Sequence, residues 1–104
     1  MNILIADDDS TCRIVLSATL KKLGHEVTVA KNGEEALAVF DTVGASLLIS
    51  DMVMPDVNGL DLCRHIRAAN RPKYTYIILL TSVGGKSSYL VGMKAGADDF
   101  INKP

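Results

Sequence analysis

Short apolar runs alternate with amphipathic segments along the whole chain. Runs of this length, apolar throughout and bounded by turn residues, are typical of strands buried on both faces of a sheet. The intervening segments place apolar residues three or four positions apart, which predicts helices with one buried face. The predicted strands are residues 3–6, 27–30, 47–50, 76–80 and 100–102. The pattern is therefore (βα)₄β.

This alternation predicts an α/β fold with one parallel sheet covered by helices on both faces. Right-handed crossovers and the apolar first strand favour a flavodoxin-like, doubly wound five-stranded sheet with the order 2-1-3-4-5. No repeat or linker interrupts residues 1–104, which we interpret as one domain. In this order the first and third strands are neighbours where the winding reverses. Ligands of such sheets bind there, beyond the carboxyl ends of the strands.

Acidic residues follow those two strands. Asp7, Asp8 and Asp9 come directly after the first strand, and Asp51 ends the third. Neighbouring strands would bring these carboxylates close together, and each pair about 4 Å apart costs roughly 1 kcal/mol even in water. A cation must offset this repulsion. An all-oxygen ligand set favours a hard cation, and Mg²⁺ is the leading candidate.

Two further polar groups are predicted at the same edge of the sheet. Thr81 follows the fourth strand and supplies a hydroxyl donor, and Lys103 follows the fifth and supplies an ammonium group. Carboxylate, metal, hydroxyl and ammonium converging on one point suit phosphoryl transfer, with Asp51 as the nucleophile.

Composition narrows the class of protein. The net charge of −1 gives no general attraction to nucleic acid or to an anionic membrane. No apolar run reaches membrane-spanning length, and no signal sequence opens the chain. Cys12 and Cys63 fall within helical patterns without metal-ligand spacing, which suits a reducing compartment. We therefore expect a soluble, cytoplasmic protein.

With these residues in place, the chain resembles the receiver domain of two-component response regulators. The resemblance extends over the whole chain and is carried by four motifs in order, each at a strand end. They are ILIADDD (Ile3 to Asp9), LLISDMVMP (Leu47 to Pro55), IILLTS (Ile77 to Ser82) and GADDFINKP (Gly96 to Pro104).

The resemblance implies a phosphorylation-dependent signalling switch. Asp51 would accept a phosphoryl group from a phosphohistidine on a sensor histidine kinase or a phosphotransfer protein. Mg²⁺ would be bound directly by Asp8, Asp51 and the backbone carbonyl of Val53, and by Asp7 mainly through a water molecule. Such a domain is not an enzyme beyond accepting phosphoryl groups from phosphodonors and slowly hydrolysing its own phosphoaspartate. Val53 and Val83, which flank the path of the attacking water, are both apolar, and we expect that hydrolysis to be slow.

The resemblance also implies how phosphorylation is transmitted. Thr81 would move to bond the phosphoryl oxygen, Lys103 would pair with it, and Phe100 would turn inward. These movements would reshape the face formed by the fourth helix and fifth strand, which would control an output domain or a downstream protein, or form a homodimer. The family further implies a cis Lys103–Pro104 bond.

The chain departs from the family pattern at its end. Receivers carry a fifth helix after the Lys-Pro pair, and this sequence stops at Pro104. The first helix and the missing helix would share one face of the sheet, so we expect uncovered apolar surface there, at roughly 25 cal/mol per Å². We therefore expect a fragment, the leading part of a longer chain, or a face covered by a partner.

Two other readings of the same residues remain open from the sequence. Asp7 to Thr11 also fit the D-x-D-x-T signature of haloacid-dehalogenase-like phosphatases, with Asp7 as nucleophile and Asp9 as acid/base. In that reading Thr81 or Ser82 would form the second motif and Asp98–Asp99 the metal pair. However, Asp98–Asp99 precedes its strand, where we expect a solvated turn at the opposite edge, and Asp51 is left unexplained. The second is a receiver-like binding module that is not phosphorylated, against which the intact carboxylates argue.

Overall fold

A single parallel sheet organises the protein. The computed structural model describes residues 1–69, 71–81 and 91–102. Its five strands lie in the order β2-β1-β3-β4-β5, which confirms the predicted topology. The strands are β1 (Asn2–Ala6), β2 (Glu26–Ala30), β3 (Leu47–Asp51), β4 (Tyr76–Thr81) and β5 (Asp99–Asn102). The helices are α1 (Ser10–Lys22), α2 (Gly33–Val43) and α3 (Gly59–Ala68), and residues 91–94 are also helical.

Strand register aligns the carboxyl ends of the central strands. Ala6 of β1 pairs with Ser50 of β3, and Asp51 pairs with Leu80 of β4. All five strands run parallel, so the residues at their carboxyl ends, which include Asp7, Asp51 and Thr81, lie at one edge of the sheet. The register therefore builds the candidate site directly from the strand ends.

The core has two unequal halves, because side chains alternate between the two faces of each strand. Leu4, Leu48 and Ile77 point to the face covered by α2 and α3 and belong to the larger cluster. Ile3, Ile5 and Ile49 point to the other face, where half-buried side chains of α1 pack on them.

The α1 face of the sheet keeps a large apolar groove of about 520 Å³. Its apolar lining consists of Val15, Leu16, Ile49, Ile78, Leu80 and Ile101. Val15 is 59% exposed and Ile101 is 46% exposed. This groove agrees with the uncovered apolar surface that the sequence predicts on the face shared with α1.

The helices α1, α2 and α3 each have a side-chain cap at the N-terminus, at the edge of the sheet where the site lies. The carboxylate of Asp9 accepts a hydrogen bond from Thr11 N at 3.0 Å at the start of α1. The side chain of Asn32 caps α2, and that of Asn58 caps α3. Such caps satisfy backbone N–H groups that have no partner within the helix, and they fix the loops that carry the acidic residues.

Within the described part of the chain, every helix is too short or too polar to span a membrane.

Candidate phosphoryl and metal site

Three carboxylates converge at the carboxyl ends of β1 and β3. One oxygen each from Asp7, Asp8 and Asp51 lies within 4.8 Å of the other two. Asp7 and Asp51 are buried, whereas Asp8 is exposed. The convergence expected from the strand order is therefore present, and Asp8 leaves the cluster open to solvent on one side.

Backbone and side-chain contacts fix the position of Asp7. Its N–H donates to Ala30 O at 3.1 Å, which extends the β1–β2 pairing by one residue. Its Oδ1 accepts a hydrogen bond from Asp9 N at 2.9 Å. The guanidinium of Arg13, one turn into α1, donates to the Asp7 carbonyl at 2.6 Å. These contacts hold the carboxylate in place before any ligand arrives, which preorganises the cluster.

The loop after Asp51 folds back against the end of β3. Met52 N donates to Leu80 O at 2.8 Å, and Gly59 N donates to Met52 O at 3.0 Å. Val53 N lies 3.4 Å from Asp51 Oδ1, and the Val53 side chain is 67% exposed. Met54 is buried in the larger core cluster. The loop is thus anchored on both sides of Val53, whose backbone stays beside the carboxylate of Asp51.

Thr81 and Phe100 lie on the two strands next to this cluster. Thr81 is buried and follows Leu80, the register partner of Asp51, so it emerges at the same edge as the carboxylates. Phe100 is half-buried on β5 and pairs in register with Leu79. Its ring packs on helical Gly92, where an added Cβ would lie 3.0 Å from Phe100 Cδ2.

Several residues named from the sequence lie outside the described part of the chain. They are Ser82, Val83, Lys103 and Pro104, and with them the expected cis Lys103–Pro104 bond.

The chemistry of the cluster fits Mg²⁺. All three side chains offer carboxylate oxygens, and one of them is exposed enough for the ion to keep several of its water molecules. The mutual repulsion of the carboxylates also favours a cation at their centre. By its donor set, the cluster is therefore typical of a hard divalent cation site.

Asp98 corrects one expectation. It lies at the opposite edge of the sheet as predicted, but it is not a solvated turn residue. Its side chain is 19% exposed and forms an ion pair with Arg67 of α3, with Nη2 and Oδ2 2.7 Å apart. Tyr74 also donates to Asp98, and this hydrogen bond raises the pKa of the Tyr74 hydroxyl. The prediction was wrong because the position of Asp98 before its strand indicates only the edge of the sheet. It does not indicate that α3 places the Arg67 guanidinium beside the Asp98 carboxylate.

Fold and cluster together define a class of protein: a doubly wound α/β domain with an all-carboxylate cation site where the winding reverses. The family model described as response regulator receiver domain matches residues 3–104, and the chain belongs to that family. It is therefore a phosphoacceptor domain of two-component signalling rather than a catalytic enzyme.

Similar proteins agree with this assignment. The chain is 42% identical over 106 residues to the chemotaxis protein CheY1 of Helicobacter pylori, covering 100% of this chain and 86% of that protein. The structure of Vibrio cholerae chemotaxis protein CheY4 matches with a TM-score of 0.91 and 32% identity, covering 98% of this chain and 85% of that one. The response regulator TrrA of Thermotoga maritima, in complex with Mg²⁺ and BeF, matches with a TM-score of 0.84 and 36% identity, with 98% and 85% covered.

Proposed function

We propose that Asp51 is the phosphoacceptor. The observation that carries this is the convergence of Asp7, Asp8 and Asp51 within 4.8 Å. Among the three, Asp51 ends the central strand β3 and lies one residue from Thr81 in the strand register. Asp7 has an oxygen engaged by a backbone N–H in a short hydrogen bond. The contact of Val53 N with Asp51 Oδ1 is longer, at 3.4 Å, than the 2.9 Å hydrogen bond of Asp9 N to Asp7 Oδ1.

The phosphoryl donor in this proposal is a phosphohistidine of a sensor histidine kinase or a phosphotransfer protein. A carboxylate oxygen of Asp51 forms a bond to phosphorus while the bond from phosphorus to the histidine nitrogen breaks, and the imidazole leaves. Asp8, Asp51 and the Val53 carbonyl would hold Mg²⁺, and Asp7 would contribute through a water molecule. When bound, the ion offsets negative charge on the transferring group.

The same proposal assigns the transmission of the signal to Thr81, Lys103 and Phe100. The hydroxyl of Thr81 bonds the phosphoryl oxygen, Lys103 pairs with it, and Phe100 changes position on β5. The half-buried state of the Phe100 ring and its contact with Gly92 support this, because a ring in that position is coupled to the helical residues 91–94. The reshaped face contacts an output domain, a downstream protein or a second copy of the chain.

The two free cysteines suit a cytoplasmic location.

Phosphorylation of the wild-type protein tests the proposal. We expect acetyl phosphate with Mg²⁺ to add the mass of one phosphoryl group, and peptide mapping after borohydride reduction to place it at residue 51. Chelation of Mg²⁺ should suppress the reaction. Intact-mass spectrometry measures both. Absence of labelling would favour the unphosphorylated binding module, and labelling at residue 7 would favour the dehalogenase-like reading.

Val53→Asn is expected to shorten the lifetime of the phosphorylated protein. Val53 is exposed beside the Asp51 carboxylate and offers an attacking water no side-chain hydrogen bond. One net hydrogen bond of about 1 kcal/mol to that water corresponds to roughly five- to tenfold faster hydrolysis. The decay of the phosphorylated mass measures the rate. Val53→Ala is the matched control and should stay within about twofold of wild type; equal rates in all three proteins would contradict the prediction.

A further inference from the structure

Gly33, the first residue of α2, touches the loop that follows Asp51. A Cβ built on Gly33 would lie 1.9 Å from the carbonyl oxygen of Val57 and 2.8 Å from its carbonyl carbon. Real Cβ atoms do not approach backbone atoms so closely, so only a hydrogen atom fits between the helix and the loop. By contrast, a Cβ at Gly24 or Gly44 would meet no atom within 4 Å.

Neither side of this contact can yield easily. On the helix side, Asn32 Oδ1 accepts a hydrogen bond from Glu35 N at 2.7 Å, and Glu35 Oε1 accepts one from Lys31 N at 3.2 Å. These two bonds fix the first turn of α2 around Gly33. On the loop side, the Val57 side chain packs against the larger core cluster.

The contact reaches Asp51 through the start of α3. Val57 lies two residues before Gly59, and Gly59 N is hydrogen-bonded to Met52 O at 3.0 Å. A Cβ at Gly59 would lie 2.3 Å from Asp51 O, so the first turn of α3 is pressed against the end of β3. Displacing Val57 therefore also displaces Gly59, whose N–H is hydrogen-bonded to Met52 O. Met52 lies between Asp51 and Val53 in the chain, so its position affects both.

We propose that Gly33 is a positioning residue for the metal site: the close contact of α2 with Val57 holds the loop so that the Val53 carbonyl and the Asp51 carboxylate face the same point. This inference rests on the proposed function, in which those two groups bind Mg²⁺. Contacts that orient metal ligands are commonly worth 10- to 100-fold in metal affinity. Gly33 itself lies outside the acidic cluster. It acts on the ligands through Val57, Gly59 and Met52.

The substitution Gly33→Ala separates this role from a general effect on the helix. Alanine favours a helix over glycine, so in the absence of the Val57 contact the variant would be at least as stable as wild type and would bind Mg²⁺ equally. Because the alanine Cβ would push against Val57 O, we expect the Mg²⁺ affinity of Gly33→Ala to fall about tenfold or more. Isothermal titration with Mg²⁺ measures the affinity, and urea unfolding in EDTA confirms that the variant is folded.

Gly44→Ala is the matched control at the other end of the same helix. Gly44 has a φ of 62°, where alanine is strained, but a Cβ there touches nothing. The control should lose stability and keep Mg²⁺ affinity within about twofold of wild type. Equal Mg²⁺ affinity in folded Gly33→Ala and wild type would overturn the inference while leaving the proposed function intact. Wild type that binds no Mg²⁺ would overturn both.

A measurement on the wild-type protein covers the case in which Gly33→Ala does not fold. Amide signals of glycines are readily followed in ¹⁵N correlation spectra during a Mg²⁺ titration. We expect the Gly33 amide to shift with the same apparent affinity as the loop amides of residues 52–58, and the Gly24 and Gly44 amides to stay in place. A Gly33 amide that does not respond while the loop amides do would overturn the inference.

Discussion

Asp51→Asn is expected to abolish phosphoryl labelling and, at the same time, to make the metal-free protein more stable. A carboxamide is not a nucleophile towards phosphorus under these conditions, so labelling with acetyl phosphate should fall to background. The variant also removes one of three carboxylates that lie within 4.8 Å of one another. A like-charge pair near 4 Å costs roughly 1 kcal/mol in water and more where solvent is partly excluded. We therefore expect the free energy of unfolding in EDTA to rise by about 1 kcal/mol.

Mg²⁺ should reverse the order of stability. The ion stabilises wild type by preferential binding to the folded state, by an amount that grows with the ratio of free Mg²⁺ to its dissociation constant. Loss of a direct ligand removes most of this gain from Asp51→Asn. Urea unfolding with EDTA and with excess Mg²⁺ measures both values. Asp99→Asn is the matched control, because Asp99 is exposed at the opposite edge of the sheet and should alter neither labelling nor Mg²⁺ response. Full labelling of Asp51→Asn would contradict the assignment of the acceptor.

The parts of the molecule that could be predicted from sequence are those set by the backbone. A buried strand delivers the residue after it to a fixed edge of the sheet, and the strand order decides which edges are adjacent. Asp7 and Asp51 follow from this rule, because β1 and β3 are neighbours and Ala6 pairs with Ser50. No side-chain packing has to be known to bring these carboxylates together.

The parts that could not be predicted depend on packing between distant side chains or between helices and loops. Arg67 and Asp98 are 31 residues apart, and no periodicity relates a helix position to the residue before a strand. In the sequence, Gly33 is an ordinary turn residue after Asn32. Nothing in the sequence indicates that the carbonyl oxygen of Val57 lies 1.9 Å from where a Cβ on Gly33 would be. Both features depend on how closely two elements approach, which a hydrophobic pattern does not encode.

A second large effect is expected at the far edge of the sheet, where Arg67 joins α3 to the starts of β4 and β5. Its Nε donates to Gly96 O at 2.9 Å, its Nη1 to Thr75 O at 2.7 Å, and its Nη2 to Asp98 at 2.7 Å. The guanidinium also lies over the Tyr74 ring, 4.5 Å from its centroid. One side chain of α3 therefore holds two segments of chain, residues 74–75 and 96–98, at the end of the sheet opposite the acidic cluster.

Arg67→Ala is expected to lower the free energy of unfolding by about 2–3 kcal/mol. The substitution leaves the Asp98 carboxylate largely buried without its cation and removes hydrogen bonds from two backbone carbonyls. Since the Arg67 and Asp98 side chains remain 24% and 19% exposed, water reduces the loss below that of a fully buried pair. Urea unfolding measures the change. Arg67→Lys should lie between wild type and alanine, because lysine keeps the charge but not the planar fork that reaches three acceptors.

Arg64→Ala provides the control within the same helix. Arg64 also faces an aspartate, Asp61, but at 3.5 Å and with side chains 57% and 44% exposed. Exposed pairs of this kind contribute about 0–1 kcal/mol, so Arg64→Ala should stay within about 0.5 kcal/mol of wild type. Equal losses in the two alanine variants would mean that the Arg67 contacts add nothing beyond helix propensity. Folded Arg67→Ala should still label at Asp51, because the arginine acts on stability at one edge of the sheet and the carboxylates act on chemistry at the other.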